Sequence, residues 1–201
     1  LLVENIEGTQ LPKVQRGIDI NTYAYDMILS EGRCLLFYQD NVDYAVLKSL
    51  KEKKFISFGE NREIPFGIDN LLSPKPNAMN ITKPFAYGDY LVLVEGLRDC
   101  LDLQSIYPYV LAMQTSAIPR MHLEIIKTLT PNVILALDND DVGNQSTQKI
   151  IKYNTNLNIQ PFHYPHNHKD FGDLSSLYLK DNFEYQYYRG AIAQQLHLLT
   201  Q

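Results

Sequence analysis

The sequence predicts an α/β protein: a mostly parallel sheet with flanking helices in the second half, preceded by a smaller α+β subdomain. Two observations carry this. From residue 86 onward, short apolar runs alternate with amphipathic stretches, giving four strands separated by three helices, the pattern of an open sheet covered on both faces. Between Asp69 and Pro84 lie three prolines, three asparagines and two serine or threonine residues, which is turn and linker chemistry and sets a boundary near Phe85. The expected organisation is an N-terminal subdomain over 1–85, the α/β domain over 86–182 and a C-terminal helix over 183–201.

Taken in order, Asn21 to Leu29 reads as a helix and Cys34 to Tyr38 as a strand. A helix from Val42 to about Glu52 follows, with Val42, Ala45, Val46 and Leu50 at helical spacing, then a strand from Lys54 to Phe58. In the second half, Tyr90-Leu91-Val92-Leu93-Val94 is a continuous apolar run, the mark of a strand buried on both faces. A helix from Leu97 to about Ser105 leads to an apolar run at Val110 to Met113. Pro119 suits the first turn of the next helix, with Met121, Ile125, Ile126 and Leu129 on one face. Asn132 to Leu137 reads as a strand, Val142 to about Tyr153 as a helix, Asn158 to His163 as a strand, and Phe183 to Leu199 as a closing helix.

Composition narrows the function classes. Of 201 residues, 45% are hydrophobic and 20% charged, and ten glycines and ten prolines exclude collagen-like or wholly disordered chains. No run approaches the ~18 apolar residues of a spanning helix, so no membrane role is expected. The opening Leu1-Leu2-Val3-Glu4 has neither Met nor a basic region, which reads as no secretory signal and fits a fragment of something longer. Cys34 and Cys100 show no CxxC spacing and read as core residues of a reducing, intracellular compartment. The net charge of −5 argues against a polyanion-binding whole surface. Up to Phe85 there are 10 basic and 11 acidic residues, and after it 8 and 12, so the acid excess lies in the second half.

Those acids fall where an α/β sheet works, at the carboxyl ends of its strands. The first strand of the second half stops at Glu95-Gly96 and the third at Asp138-Asn139-Asp140-Asp141. First and third strands of such sheets commonly lie side by side, so Glu95 would meet Asp138 and Asp140. Residues i and i+2 of an extended segment project to one side, which pairs Asp138 with Asp140 and sends Asn139 away. Carboxylates so close repel unless cations neutralise them, and hard oxygen ligands select Mg²⁺ or Mn²⁺. Asp141 reads as a helix N-cap rather than a ligand.

The passages Leu93-Val94-Glu95-Gly96-Leu97-Arg98-Asp99 and Leu135-Ala136-Leu137-Asp138-Asn139-Asp140-Asp141-Val142-Gly143 closely resemble the TOPRIM domain of primases, topoisomerases and some nucleases. The primase branch fits best, having the forms Glu-Gly-x-x-Asp and Asp-x-Asp-x-x-Gly, whereas the Thr-Asp-x-Asp-Arg-Glu-Gly string of topoisomerases is absent. His168-Lys169-Asp170-Phe171-Gly172-Asp173-Leu174 resembles the Lys-Asp-x-x-Asp-Leu segment that closes the primase TOPRIM, especially in phage versions. Gln114-Thr115-Ser116-Ala117 sits where that family has a small-residue turn.

The resemblance implies a phage-like DNA primase core, a nucleotidyltransferase making short RNA primers from NTPs on single-stranded DNA with Mg²⁺ or Mn²⁺. It implies a cytoplasmic setting, in a bacterial cell or phage-infected host, and a replicative helicase or other replisome protein as partner. Glu95 would serve as general acid or base or as a metal-linked carboxylate, and Asp138 and Asp140 would hold the metal. Asp170 and Asp173 would support the metal or the nucleotide triphosphate. Asp99 would orient Glu95, touch metal through water, or instead pair with Arg98 or Lys169. In the N-terminal subdomain, Lys48, Lys51, Lys53 and Lys54 with Phe55 and Phe58 form either a nucleic-acid face or a solvated helix end. The Lys-Tyr-Leu-Asn-Ser-Pro string of cellular primases has only a faint echo in Leu71-Leu72-Ser73-Pro74-Lys75, and no zinc-binding module is present. His163, His166 and His168 read as polar loop residues rather than a transition-metal site, and no Walker motif supports an ATPase. The same carboxylates would also suit a TOPRIM nuclease, and a degenerate TOPRIM module would only bind nucleic acid or a replication partner.

Overall fold

The computed structural model describes residues 24–29, 32–38, 45–49, 55–58, 64–165, 168–172, 174, 177 and 181–201. These fall into two compact units that divide between Arg62 and Glu63. The first is a four-stranded antiparallel sheet in the order β1-β2-β3-β4, from β1 (Ala24–Leu29), β2 (Gly32–Tyr38), β3 (Ala45–Ser49) and β4 (Phe55–Phe58). Two expectations are corrected here: the stretches read as helices at 21–29 and 42–52 supply β1 and β3, so the described part of this unit is all strand. Apolar residues at 42, 45, 46 and 50 satisfy a helical period over too short a span to decide the matter. Cross-strand partners decide it, with Leu47 of β3 between Leu36 of β2 and Ile56 of β4. Val46 is buried.

The second unit holds α1 (Asp69–Leu72), β5 (Leu91–Val94), α2 (Leu97–Gln104), β6 (Val110–Ala112), α3 (Arg120–Leu129), β7 (Asn132–Ala136), α4 (Asp141–Tyr153), β8 (Asn158–Pro161) and α5 (Asn182–Leu199). Its sheet runs β6-β5-β7-β8 with every pairing parallel, as expected of this half. Every residue of β5 and β6 is buried, and so are Val133 to Ala136 of β7. This is why their sequences are continuous apolar runs rather than alternations. The direction of winding reverses between β5, whose next strand lies on one side, and β7, whose next strand lies on the other. With right-handed crossovers this puts α2 on one face of the sheet and α3 and α4 on the opposite face, and opens a crevice at the carboxyl ends of β5 and β7.

The boundary expected near Phe85 moves to residue 62, because the proline- and asparagine-rich stretch packs on this second unit. Phe66 bridges to Ala112 beyond the β6 edge, and the Ala112 N–H donates to the Phe66 carbonyl at 2.9 Å. Asn70 donates through Nδ2 to the Pro108 carbonyl at 2.8 Å. The Tyr109 hydroxyl donates to the Lys83 carbonyl at 2.7 Å, and Phe85 packs edge-on against the Tyr109 ring. Turn chemistry is genuine there, but the turns are anchored. In α3 the inward residues are His122 and Ile126, whereas Met121 is exposed, so the buried stripe is rotated from the expected one. Asp181 caps α5 through the N–H groups of Phe183 and Glu184, and Tyr185, Tyr188, Ile192 and Leu196 bury one stripe of it. Among the described residues no helix is long and apolar enough to cross a membrane.

Candidate functional site

β5 and β7 pair in register from Leu91–Val133 to Val94–Ala136, so the chain leaves both strands at the same level. Glu95 follows β5 directly and is half-buried. Its carbonyl accepts from the Gln114 N–H at 2.9 Å, which sets the Gln114 to Ala117 turn beside it. Gln114 adopts a left-handed φ of 61° to make that turn. Gly96 then caps α2 in an extended conformation, where a Cβ would run into the Asp99 Oδ2.

Beyond β7, Asp138 and Asp140 do turn to one side. The Lys169 Nζ lies 3.4 Å from the Asp138 Oδ2 and 3.4 Å from the Asp140 Oδ2, forming a bridge between them. Asn139, between the two, binds the backbone that carries this lysine: its N–H donates to the Lys169 carbonyl at 2.7 Å and its Nδ2 to the His168 carbonyl at 3.0 Å. The helix cap is Asp140, not Asp141 as its position suggested; the Asp140 Oδ1 accepts from the Gly143 N–H at 2.9 Å, and Asp141 is the first, exposed helical residue. Gly143 is required by close approach, since a Cβ there would run into the Asp138 carbonyl oxygen.

Electrostatics follow from this layout. Burial raises the Glu95 carboxyl above its ordinary pKa, and the charges of Asp138 and Asp140 raise it further, against the pull of Lys169. The Gly143 N–H holds Asp140 below the usual carboxylate range, helped by Lys169. The Lys169 ammonium is pushed up, mainly by Asp138. Asp99 lies in the first turn of α2, and its Oδ1 accepts from the Gly172 N–H at 2.8 Å. Burial raises its pKa to about 7, with Asp170 and Asp138 adding to the shift and the Gly172 N–H and Arg98 opposing it. Arg98 donates to the Gly172 carbonyl at 2.8 Å and reaches the fully buried Asp102 at 3.6 Å. Gly172 is thus held at both its N–H and its C=O by consecutive residues of α2.

That grip fixes the 168–172 segment against the strand ends. Phe171 is fully buried against Phe162 and Tyr164. The His168 ring stacks on Tyr188 of α5 at 3.8 Å between centroids, and the Tyr188 hydroxyl donates to the Asp170 carbonyl at 3.2 Å. The structure therefore brings Glu95, Asp99, Asp138, Asp140 and Asp170 to one end of the sheet. Asp173, Lys51, Lys53 and Lys54 lie outside the described residues, as does His166. Lys48 lies on β3, opposite Leu35 and Phe55, in the other unit. His163 is exposed. Lys169, Arg98 and Tyr188 were not expected as functional residues. The Lys-Asp run at 169–170 was the available signal for the first; nothing local in the sequence marks the other two.

The donor set is of hard carboxylate oxygens, which suits Mg²⁺ or Mn²⁺. Among the described residues no three His, Cys, Asp or Glu side chains close around a single point. The charge seated between Asp138 and Asp140 is the lysine ammonium, so these two oxygens already face a cation, and in that respect the pair fits one.

The sequence profile of the Toprim-like family matches residues 92–175, from the second residue of β5 to just past the Lys169 segment. Comparison with curated proteins gives no match. Among solved structures, the primase fragment of the bacteriophage T7 primase-helicase protein superposes with a TM-score of 0.56 at 14% identity, over 89% of this chain and 67% of that one. The DnaG catalytic core superposes with a TM-score of 0.51 at 16% identity, over 82% of this chain and 56% of that one. The DnaG primase catalytic domain bound to single-stranded DNA gives 0.50 at 15% identity, over 83% of this chain and 57% of that one. The chain therefore spans little more than half the length of the DnaG cores it resembles. Residues 92–175 thus match the Toprim-like family, and the fold is similar to that of primase catalytic cores.

Proposed function

We propose that this chain is the catalytic core of a phage-like DNA primase, which joins NTPs into short RNA primers on single-stranded DNA by metal-dependent nucleotidyl transfer. The observation that supports the reading best is the placement of Glu95, Asp138 and Asp140 at the adjoining carboxyl ends of β5 and β7. That crevice is where open α/β sheets bind their ligands.

In this reading Asp138 and Asp140 would hold Mg²⁺ or Mn²⁺, with Glu95 the third carboxylate of the group. When bound, the ion supplies positive charge to the transferring phosphoryl group and its leaving oxygens. The raised pKa of Glu95 makes its carboxylate a stronger acceptor for the proton of an attacking 3′-hydroxyl. Asp99 holds the 168–172 segment in place, from which Asp170 would face the metal or the nucleotide triphosphate; Asp173 is proposed to act with it. The lysines at 48, 51, 53 and 54 are the proposed template-contacting group. A replicative helicase or another replisome protein is the proposed partner, and the cytoplasm of a bacterial or phage-infected cell the proposed setting. Support for the nucleic-acid reading comes from the neighbours, one a DnaG domain bound to single-stranded DNA and another from a complex of the T7 lagging-strand DNA polymerase and primase domains with an RNA/DNA hybrid and dTTP.

The test is incubation of the chain with single-stranded DNA, labelled NTPs and Mg²⁺ or Mn²⁺, with DNA and RNA resolved on one gel. New RNA that disappears in Asp138→Asn is the expected result. Shortened DNA without any NTP requirement would make the protein a nuclease, and neither product, with DNA still bound, would make it a binding module.

A further inference from the structure

The ammonium of Lys169 occupies the interval between the two aspartates that the proposed function assigns to a metal. We infer that Lys169 is a displaceable internal counter-ion: it holds Asp138 and Asp140 together in the metal-free protein and is expelled when a divalent cation enters. The inference rests on the metal-holding role proposed for that pair.

Three features support it. The lysine is equidistant from both carboxylates, 3.4 Å from each Oδ2, so it bridges the pair instead of serving one partner. Its side chain is 57% exposed, so the four-carbon stem has solvent to swing into. Its backbone does not have to follow, because the Lys169 carbonyl is held by the Asn139 N–H, and the next residues are held by Tyr188 at Asp170 and by Arg98 and Asp99 at Gly172. On the other side of the bridge, the Asp140 Oδ1 is committed to the Gly143 N–H, which keeps the Oδ2 directed at whichever cation is present. A single ammonium neutralises one of the two negative charges. A divalent ion neutralises both and replaces a strongly hydrated point charge that gains hydration on leaving.

A permanent structural ion pair and a displaceable counter-ion predict opposite effects of removing the lysine. If Lys169 competes with metal, Lys169→Met will bind Mn²⁺ about tenfold more tightly than the wild type, the sum expected of two exposed ion pairs. Free Mn²⁺, followed by electron paramagnetic resonance in a titration of the full chain, reads this directly. Metal-free Lys169→Met will also melt below the wild type and recover more of its melting temperature on adding Mn²⁺. Unchanged or weaker Mn²⁺ binding in Lys169→Met would overturn the proposal, as would failure of both proteins to bind Mn²⁺. Should Lys169→Met fail to fold, Lys169→Arg gives the complementary reading: a guanidinium that grips two carboxylates harder will weaken Mn²⁺ binding several-fold, and unaltered binding overturns the proposal. Tighter Mn²⁺ binding in Lys169→Met, abolished by adding Asp138→Asn, leaves this inference standing even if no primer is ever made, in which case only the primase reading falls.

Discussion

Replacing Gly143 with alanine tests whether the fit between α4 and the end of β7 is as close as described. A Cβ at this position would run into the Asp138 carbonyl oxygen, and would stand 2.9 Å from the carbonyl carbon and 3.3 Å from the nitrogen of the same residue. All three are backbone atoms at the end of a buried strand and cannot turn aside, so α4 must shift. Overpacking of this kind costs about 1–3 kcal/mol, and a displaced first turn strains the Asp140 cap, worth about 1 kcal/mol. Opposing this, alanine in place of glycine within a helix gains about 0.5–1 kcal/mol. The net loss is about 2 kcal/mol, which for a chain of this size lowers the melting temperature by about 4–8 °C. Gly190 in α5 is the control, because a Cβ there meets nothing within 4 Å. Gly190→Ala should therefore gain about 0.5–1 kcal/mol and melt slightly higher than the wild type. Thermal unfolding followed by circular dichroism gives both values. A Gly143→Ala protein that melts at or above the wild type would refute the close approach, and with it the account of how Asp140 is aimed.

Asp138→Asn should leave the melting temperature unchanged or raised, since it removes like charge beside Glu95, while lowering the proposed metal-dependent nucleotide incorporation by about a hundredfold or more; full activity would remove Asp138 from the proposed metal site. Asp99 has its carboxyl pKa raised to about 7, so in the folded protein it stays protonated where the unfolded chain is already ionised. Stability in chelator should accordingly fall as pH rises from about 4 to 7, and Asp99→Asn, which keeps the oxygen facing the Gly172 N–H, should melt higher than the wild type at pH 8 and equal it at pH 4. The gain is on the order of 2 kcal/mol, about half the full conversion because the side chain is only half-buried; pH-independent melting differences would refute the assignment. Arg98→Met removes the guanidinium facing the buried Asp102 and the donor on the Gly172 carbonyl, and should cost about 2–4 kcal/mol in urea unfolding. Adding Asp102→Asn should restore part of that loss, and no restoration would show that the ion pair is not its source.

The second unit was legible in the sequence because its strands are covered on both faces. Leu91 to Val94 and Val133 to Ala136 carry no polar residue, and the intervals between such runs admit little besides helices. The acid placement followed from strand ends alone. The first unit was misread because β3 holds only five residues, too few for its apolar spacing to separate a strand from a helix. Only its neighbours β2 and β4, distant in sequence, settle the matter. Asp140 and Asp141 illustrate the same limit at finer scale: both are good capping residues, and which one caps depends on where β7 releases the chain. Lys169 lies in a recognisable motif, yet its bridging role depends on Asn139 capturing the backbone some thirty residues onward, and no local pattern records that contact.

The position of Lys169 along the chain has a consequence for synthesis. Glu95, Asp138 and Asp140 are all translated before the residue that neutralises them, and Tyr188, which holds the neighbouring Asp170, comes later still. A nascent chain extended only through α4 presents its carboxylates with β8 absent and no lysine between them. If β5 and β7 pair at that stage, their ends will repel each other, and cations from solution are the available means of quieting them. Charge balance at the crevice is thus acquired only after all three of its acids have been made, and a chain cut between Asp141 and Lys169 would never acquire it.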